Sequence, residues 1–287
     1  MDIHGFRVTE KNRSDDSWFA HCETGSSFSK KELRAITKEN TEKISELQDR
    51  LYAEGKVGVL IIFQAMDAAG KDAAIKHVMS GINPQGVYVH SFKQPSSEEL
   101  SHDYLWRAAK VLPARGKIAI FNRSYYEDVL IVKVHKLYEG QNLPDRMKTP
   151  DTIERRYKQI RDFEDYLWEN GILTVKFFLH LSKGEQRKRF LKRIDRKDKN
   201  WKFSQGDLTE REFWDDYQGA YKKAIRETAT ERNPWYVVPA DKKAFSWAVV
   251  SEALLHVMAS IDPKYPVVSE QQEAELVECK RRLTAEE

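Results

Sequence analysis

Residues 59–78 read VLIIFQAMDAAGKDAAIKHV and join three patterns in a row. An apolar, β-branched run from Val59 to Phe63 predicts a buried strand, and a helical pattern begins at Lys71. Between them lies a loop of small residues that ends in Gly70-Lys71. Such an arrangement cradles phosphate, because backbone N–H groups and the positive helix end face the anion while the Lys reaches the outer phosphates. The segment therefore predicts a phosphate-binding site.

The loop departs from the common pattern G-x-x-x-x-G-K-[ST] at two positions. Ala65 stands where that pattern has its first Gly, and Asp72 stands where it has the Ser or Thr that binds Mg²⁺. Asp67, inside the loop, is therefore the candidate metal ligand or an acid that positions the nucleophile. The alternative is an ordinary strand-turn-helix connection, in which Asp67 only forms the turn. If the loop binds phosphate, we expect the anion to contact five residues: Ala68, Ala69, Gly70, Lys71 and Asp72.

Composition limits the class of protein. The chain has 287 residues, of which 32% are charged and 40% hydrophobic, as in a soluble globular protein. Its net charge of +3 carries no global polyanion signal, so any such signal must be local. Cys22 and Cys279 show neither metal spacing nor a disulfide framework. No apolar run reaches the roughly 18 residues that span a membrane, and the N-terminus is polar, so we expect a cytoplasmic protein without membrane contact.

Strand patterns alternate with helical patterns along the chain, which favours a parallel sheet with helices on both faces. The predicted strands are Val57 to Gln64, Val87 to Phe92, Lys117 to Asn122, Ile172 to Leu181 and Trp235 to Pro239. The predicted helices are Ser29 to Glu54, Lys71 to Gly81, Glu98 to Leu112, Tyr125 to Leu137, Thr152 to Glu169, Lys183 to Arg196, Glu210 to Thr230 and Phe245 to Ile261.

The chain is predicted to form one α/β domain over residues 29–265. Residues 1–28 are polar and aperiodic, and we expect them to form an arm that packs on the body or on a neighbour. Residues 266–287 form a charged tail that is expected to be frayed. No internal repeat, low-complexity segment or linker divides the sequence.

Residues 117–135, KIAIFNRSYYEDVLIVKVH, contain the second candidate group of site residues. Ligands of open α/β sheets bind at the carboxyl ends of strands, so Arg123 is expected to enter the same crevice as the loop lysine and bind phosphate. The alternative is a helix-start Arg that pairs with Glu127 four residues on. Asn122 is a candidate for contact with phosphate or nucleotide, and it is a weaker metal ligand than Asp. The candidates to supply the negative charge that Asn122 lacks are therefore Glu127, as a catalytic residue, and Asp128, as a metal ligand.

A basic segment, EQRKRFLKRIDRKDKNWKFS at residues 185–204, is the third candidate. Between Arg187 and Lys202, nine of sixteen residues are Lys or Arg. The segment follows the fourth predicted strand, where phosphate-loop kinases have a mobile lid, so we expect a lid at about residues 183–210. A solvated helix face and a nucleic-acid-binding stripe are the alternatives. The candidates for contact with phosphate or nucleotide are Arg189, Arg193, Arg196 and Lys199.

Four segments together resemble the polyphosphate kinase 2 family. They are QAMDAAGKD (64–72), SGINPQGV (80–87), FNRSYYEDVL (121–130) and KNWKFS (199–204), and the resemblance extends from about Ser29 to Ile261. It implies a thymidylate-kinase-like P-loop fold with a helical lid, and an enzyme that moves a terminal phosphate between inorganic polyphosphate and a nucleotide. Asn-Arg-Ser followed by Tyr-Glu-Asp resembles the third class of the family, which is implied to phosphorylate both AMP and ADP.

The resemblance also implies residue roles and partners. Asp67 and Lys71 fall on the catalytic acid and lysine of the loop, Arg123 on the phosphate-binding arginine, and the basic segment on the lid. Asn122 departs from the family's commoner metal-binding Asp, which bears on the class. The implied cofactor is Mg²⁺, with Mn²⁺ as a substitute. The implied partners are polyphosphate, AMP, ADP and ATP, with guanine nucleotides as further candidates, in a homo-oligomer (dimer or tetramer) that binds no nucleic acid.

Two other functions stay open from the residues. A conventional nucleotide kinase of the P-loop class would take its phosphate from ATP and leave polyphosphate inert. A polyanion-binding module without turnover would bind in a salt-sensitive way and would not need Asp67 or Lys71.

Overall fold

The strand that precedes the phosphate loop lies inside the sheet of the molecule. A computed structural model describes residues 1–20 and 28–286, and within these residues the chain forms one sheet of six strands. They are β1 (Arg7–Val8), β2 (Gly58–Gln64), β3 (Val87–Ser91), β4 (Ile118–Asn122), β5 (Ile172–His180) and β6 (Trp235–Pro239).

The strand order places two site-bearing strands side by side. It is β1-β6-β5-β2-β4-β3, and each neighbouring pair is parallel except β1 with β6. All seven residues of β2 are buried, as its uninterrupted apolar run requires in a strand that is covered on both faces. Phe63 of β2 lies opposite Asn122 of β4, so the loops that follow these strands begin at the same edge of the sheet.

The helices of the described residues cover both faces of the sheet. They are α1 (Lys30–Glu54), α2 (Lys71–Val78), α3 (Ser97–Leu100), α4 (Trp106–Ala109), α5 (Ile131–Val134), α6 (Thr152–Glu169), α7 (Lys183–Asp195), α8 (Gln205–Glu212), α9 (Trp214–Thr228), α10 (Lys243–Ile261) and α11 (Glu270–Thr284). The predicted lid contains α7, a 3₁₀ helix at Asn200–Lys202 and most of α8.

Two hydrophobic cores lie against the sheet, and β2 contributes to both because its side chains alternate between faces. Ile61 belongs to the core shared with α1, α2 and α10. Leu60 and Ile62 belong to the core shared with α6 and α9. The predicted α/β fold, with a mostly parallel sheet between layers of helices, is confirmed.

Helix α10 corrects one expectation about length. It has 19 residues and is long and apolar enough, by length and composition alone, to cross a membrane. However, α10 packs along α1 and also contacts α2 and β6, and nine of its residues are buried, among them Val249 and Leu254. Its apolar character is that of a core helix.

Two predicted helices were wrong in type or continuity. The helix expected from Glu98 to Leu112 is divided into α3 and α4, because the Asp103 side chain accepts a hydrogen bond from the backbone N–H of Leu105 and starts a new turn. The helix expected from Tyr125 to Leu137 begins instead as a 3₁₀ helix over Tyr125–Val129, followed by α5.

The ends of the chain are more ordered than the sequence suggested. The described part of the N-terminal arm packs on the body, where β1 extends the sheet and Arg7 pairs with Glu231. The expectation of a frayed tail was wrong, since residues 270–284 form α11, which starts at a capping box of Ser269 and Gln272. None of its side chains is buried against the described residues. Cys279 is free and exposed on this helix, and Cys22 lies outside the described residues.

Candidate functional site

The loop between β2 and α2 has the backbone of an anion-binding turn. Ala68 and Gly70 both have positive φ, +65° and +104°. A φ of +104° strains any residue with a side chain, so Gly is required at position 70. Gly70 is the N-cap of α2, and no described side chain caps that helix end. The first N–H groups of α2 are therefore directed to the space in front of the loop, where an anion is favoured.

Lys71 lies across the loop that it follows. Its Nζ donates a hydrogen bond to the Ala65 carbonyl at 3.1 Å, so the ammonium group spans the loop entrance. Burial, and then the nearby positive charge of Arg123, lower the pKa of Lys71. An anionic phosphate would be a stronger partner for this ammonium group than a neutral carbonyl.

Arg123 connects the loop to the segment after β4. Its Nη2 donates to Asp67 Oδ1 at 2.9 Å, and its Nη1 lies 3.6 Å from Glu127 Oε2. Glu127, and then Asp67, raise the pKa of Arg123, which therefore stays charged. The φ of Arg123 is +64°, a conformation that is uncommon outside Gly and typical of functional sites. The structure thus brings Asp67, Lys71, Arg123 and Glu127 together. Arg123 pairs with Glu127 and also lies beside the loop, and its contact with phosphate stays a prediction.

Two amides complete this group, and sequence reasoning gave no role to one of them. Gln64, the last residue of β2, is fully buried. With its amide oriented to satisfy both ends, its nitrogen donates to Glu127 Oε1 at 2.9 Å and its oxygen accepts from Ser124. The sequence did contain a signal for Gln64, namely a polar residue at the end of an apolar strand. Asn122 Nδ2 donates to Asp72 Oδ1 at 2.9 Å, while the buried Asn122 Oδ1 has no hydrogen-bond partner among the described residues.

Asp128 has a different environment from Asp67. Its carboxylate accepts hydrogen bonds from Arg156 at 3.2 Å and from Gln141 at 3.3 Å, and burial raises its pKa to about 6. The two carboxylates of the predicted metal site are therefore engaged by different arginines. Within residues 1–20 and 28–286, no group of three or more His, Cys, Asp or Glu side chains could by itself hold a metal ion.

A cleft of about 290 Å³ lies beside Asp128, which forms part of its wall. It combines an aromatic ring with several charged groups: Tyr104, Arg107, Asp128, Arg155 and Arg156 are among the residues that line it. Arg156 is buried and lies over the Tyr104 ring at 5.0 Å. The sequence did not point to the arginines of this cleft, because they lie on α4 and α6, outside the loop, the segment after β4 and the basic segment.

The lid candidates differ from one another. Arg196 pairs with Asp198 at 2.7 Å on the surface, and Arg193 donates to the Lys202 carbonyl at 3.2 Å. Lys202, in turn, lies 4.0 Å from Asp72 Oδ2 at the start of α2. Arg189 instead donates its hydrogen bonds to protein groups of the loop and of the turn after β6. The basic segment therefore lies over the loop, but its members do not share one role.

A mostly parallel α/β sheet with a Gly-Lys loop before a helix N-terminus, an arginine beside that loop and a basic segment over it is the arrangement of a phosphotransferase of the P-loop class. The sequence profile of the family described as Polyphosphate kinase 2 matches residues 27–266. The chain belongs to this family.

Individual relatives agree with the family. The chain is 50% identical over 257 residues to an "ADP-polyphosphate phosphotransferase" of Rhodopseudomonas palustris, with 89% of each chain covered. It is 47% identical over 224 residues to an "AMP/ADP-polyphosphate phosphotransferase" of Meiothermus ruber, with 78% of this chain and 80% of the relative covered. The crystal structure of polyphosphate kinase 2 from Arthrobacter aurescens TC1 superposes with a TM-score of 0.86 at 39% identity and 96% coverage of both chains.

Proposed function

We propose that this protein transfers the terminal phosphate of inorganic polyphosphate to AMP and to ADP, reversibly, giving ADP and ATP. The observation that carries the proposal is the Lys71–Asp67–Arg123–Glu127 group at the phosphate loop, with the basic lid segment above it. Family membership and the names of the relatives support polyphosphate as the donor and adenine nucleotides as acceptors.

Phosphoryl transfer at this site depends on positioning and on charge. An oxygen of the acceptor's terminal phosphate attacks the end phosphorus of polyphosphate in line, and the bond from that phosphorus to the next bridging oxygen breaks. The donor leaves one phosphate shorter. Lys71, Arg123 and the N-terminus of α2 stabilise negative charge on the transferred group, and Asp67 and Glu127 hold the guanidinium of Arg123 in place.

Each substrate has a matching surface. Polyphosphate carries about one negative charge per phosphate and no base, so a row of Lys and Arg along a channel is what such a chain requires. The acceptor nucleoside fits the cleft beside Asp128, where Tyr104 provides an aromatic face and the arginines provide donors. Asp128 and Arg156, which pair at 3.2 Å on the wall of this cleft, then orient the acceptor.

The residues present fit a divalent cation at the loop. Asp67 offers a carboxylate, and the Asn122 Oδ1 is a buried oxygen without a hydrogen-bond partner among the described residues. Mg²⁺ keeps several waters and binds through one or two protein oxygens plus substrate phosphates, so a small protein donor set is sufficient, and Mn²⁺ suits the same oxygens. When bound, the ion would neutralise charge on the phosphate oxygens.

Two finer proposals rest on the family resemblance alone. They are guanine nucleotides as further acceptors and a homo-oligomeric state (dimer or tetramer). A third proposal, a cytoplasmic location, rests on the composition of the chain.

A donor comparison tests the proposal. The purified protein is incubated with Mg²⁺ and AMP, with either polyphosphate or ATP as donor, and the nucleotides are separated by anion-exchange chromatography. Polyphosphate is expected to give ADP and then ATP, while the Lys71→Met variant gives little of either. Transfer from ATP with polyphosphate inert would instead establish a conventional nucleotide kinase.

A further inference from the structure

Arg189 lies on α7, in the segment that sequence reasoning assigned to phosphate contact, and its side chain is only 10% exposed. Its Nε donates to Glu185 at 2.9 Å. Its Nη1 donates to the Ala68 and Ala69 carbonyls, at 3.0 and 2.8 Å. Its Nη2 donates to the Ala240 and Asp241 carbonyls, at 2.7 and 3.0 Å. A guanidinium has five N–H donors, and protein oxygens accept from all of them here.

We propose that Arg189 is a positioning residue of the phosphate loop and not a ligand of phosphate. This inference rests on the proposed function in so far as the loop binds phosphate. With all five donors engaged by protein, Arg189 has none to offer a substrate without releasing the loop.

The physical effect follows from peptide geometry. In a trans peptide the carbonyl and the following N–H point in opposite directions. Because Arg189 holds the Ala69 carbonyl on the α7 side, the Gly70 N–H points away from α7. No described residue accepts a hydrogen bond from that N–H. Arg189 thereby keeps a backbone donor directed to the place where phosphate is expected.

Gln186, three residues earlier and thus on the same face of α7, extends the contact. Its Nε2 donates to the Asp67 carbonyl at 3.0 Å, and its Oε1 accepts from Arg211 at 2.7 Å. Together, Gln186 and Arg189 hold three consecutive carbonyls of the loop, those of residues 67, 68 and 69. The loop shape is therefore set by one face of α7.

The same guanidinium also fixes the turn after β6. Asp241 of that turn accepts hydrogen bonds from the backbone and the hydroxyl of Ser182, which precedes α7. The first two turns of α7 are thus tied to the loop after β2 and to the turn after β6. Contact between the lid and polyphosphate then belongs to residues beyond Arg189, beginning with Arg193, whose guanidinium donates only to the Lys202 carbonyl within the described residues.

Salt dependence separates a positioning residue from a phosphate ligand. Each phosphate contact adds about 0.7 to the slope of log affinity against log salt on a single-stranded polyanion. We therefore measure kcat and the KM for polyphosphate between low and high KCl in the wild type, Arg189→Ala, Arg189→Lys and the matched control Arg193→Ala. Arg189→Ala is expected to lower kcat at least ~100-fold, the loss that follows removal of a preorganised backbone donor. Its slope of log affinity for polyphosphate against log salt is expected to equal that of the wild type. Arg193→Ala is expected to reduce the slope by about 0.7.

Added guanidinium provides a second readout that a general loss of folding would not give. It is expected to restore Arg189→Ala at least ~10-fold, with methylammonium of equal ionic strength ineffective, and Arg189→Lys is expected to stay impaired because one ammonium cannot reach five acceptors. The proposal would be overturned if the slope of log affinity for polyphosphate against log salt fell as much in Arg189→Ala as in Arg193→Ala. A near-wild-type kcat of Arg189→Ala would also overturn it. If the wild type uses ATP and not polyphosphate, the proposed function fails, and the rescue comparison is made with ATP as donor.

Discussion

The buried pair of Glu164 and Lys176 gives a prediction whose size can be worked out from its surroundings. The Lys176 side chain is fully buried on β5 and that of Glu164 is 1% exposed on α6. Burial raises the pKa of Glu164 and lowers that of Lys176, so burial disfavours both charged forms, while the charge of each group favours the charged form of the other. Glu164 also accepts hydrogen bonds from Tyr125 and Tyr126, which follow Arg123 after one intervening residue, Ser124.

Removing one charge leaves the other without a counter-ion in the core. We expect Glu164→Gln and Lys176→Met each to lower the free energy of unfolding by about 3–5 kcal/mol. At roughly 2–4 °C for each kcal/mol, the Tm falls by about 6–20 °C. The double variant removes both charges, so it should be more stable than the two single costs predict, by about 3 kcal/mol.

Urea unfolding of the four proteins at one pH, followed by tryptophan fluorescence, measures this cycle. Glu164→Gln preserves the shape of the side chain, so a loss of stability reports charge and not volume. Single costs below about 1 kcal/mol, or costs that add without coupling, would show that the pair is solvated in solution and is not a buried ion pair.

Three further predictions concern the site. Lys71→Met is expected to lower kcat at least ~100-fold with little change in Tm, since it removes a transition-state donor, and steady-state kinetics with a Lys71→Arg control checks this; full turnover would remove Lys71 from the site. Asp67→Asn should raise the Mg²⁺ concentration needed for half-maximal activity, and an unchanged Mg²⁺ titration would contradict a metal role for Asp67. Because burial raises the pKa of Asp128 from 3.8 to about 6, the folded state holds a proton between these pH values that the unfolded state has lost. The contribution of Asp128 to the free energy of unfolding therefore falls as the pH rises from about 4 to 6. Urea unfolding at both ends of this range should show a smaller decrease in that free energy for Asp128→Asn than for the wild type. Equal decreases would contradict the raised pKa of Asp128.

The fold was predictable where local pattern and tertiary environment agree. The run before the loop of residues 65–70 is apolar on both faces and is a central strand, as its composition requires. The segment Tyr125–Val129 was not predictable, since a helical pattern gives way to a 3₁₀ helix whose two tyrosines bond the distant Glu164. The capping box at Ser269 was a local signal for α11 that charge composition obscured.

The site was predictable in its residue types and less so in their directions. Lys71 and Arg123 lie together because parallel strands end at one edge of the sheet. Sequence spacing does not reveal that Asp128, one residue after Glu127, is held by Arg156 on another element. Nor does a row of basic residues reveal that the guanidinium of Arg189 is directed at loop carbonyls. Those contacts span about 120 positions of the chain and depend on packing.

The most direct test of polyphosphate as the phosphate donor is luminescent detection of ATP formed from AMP, and separately from ADP, with Mg²⁺ and polyphosphate and with no ATP added. If polyphosphate is the donor to both nucleotides, ATP is expected from ADP at once, and from AMP after a lag in which ADP accumulates. ATP from ADP alone would keep polyphosphate as the donor and exclude AMP as an acceptor. No ATP from either nucleotide, together with transfer when ATP is the donor, would contradict polyphosphate as the donor.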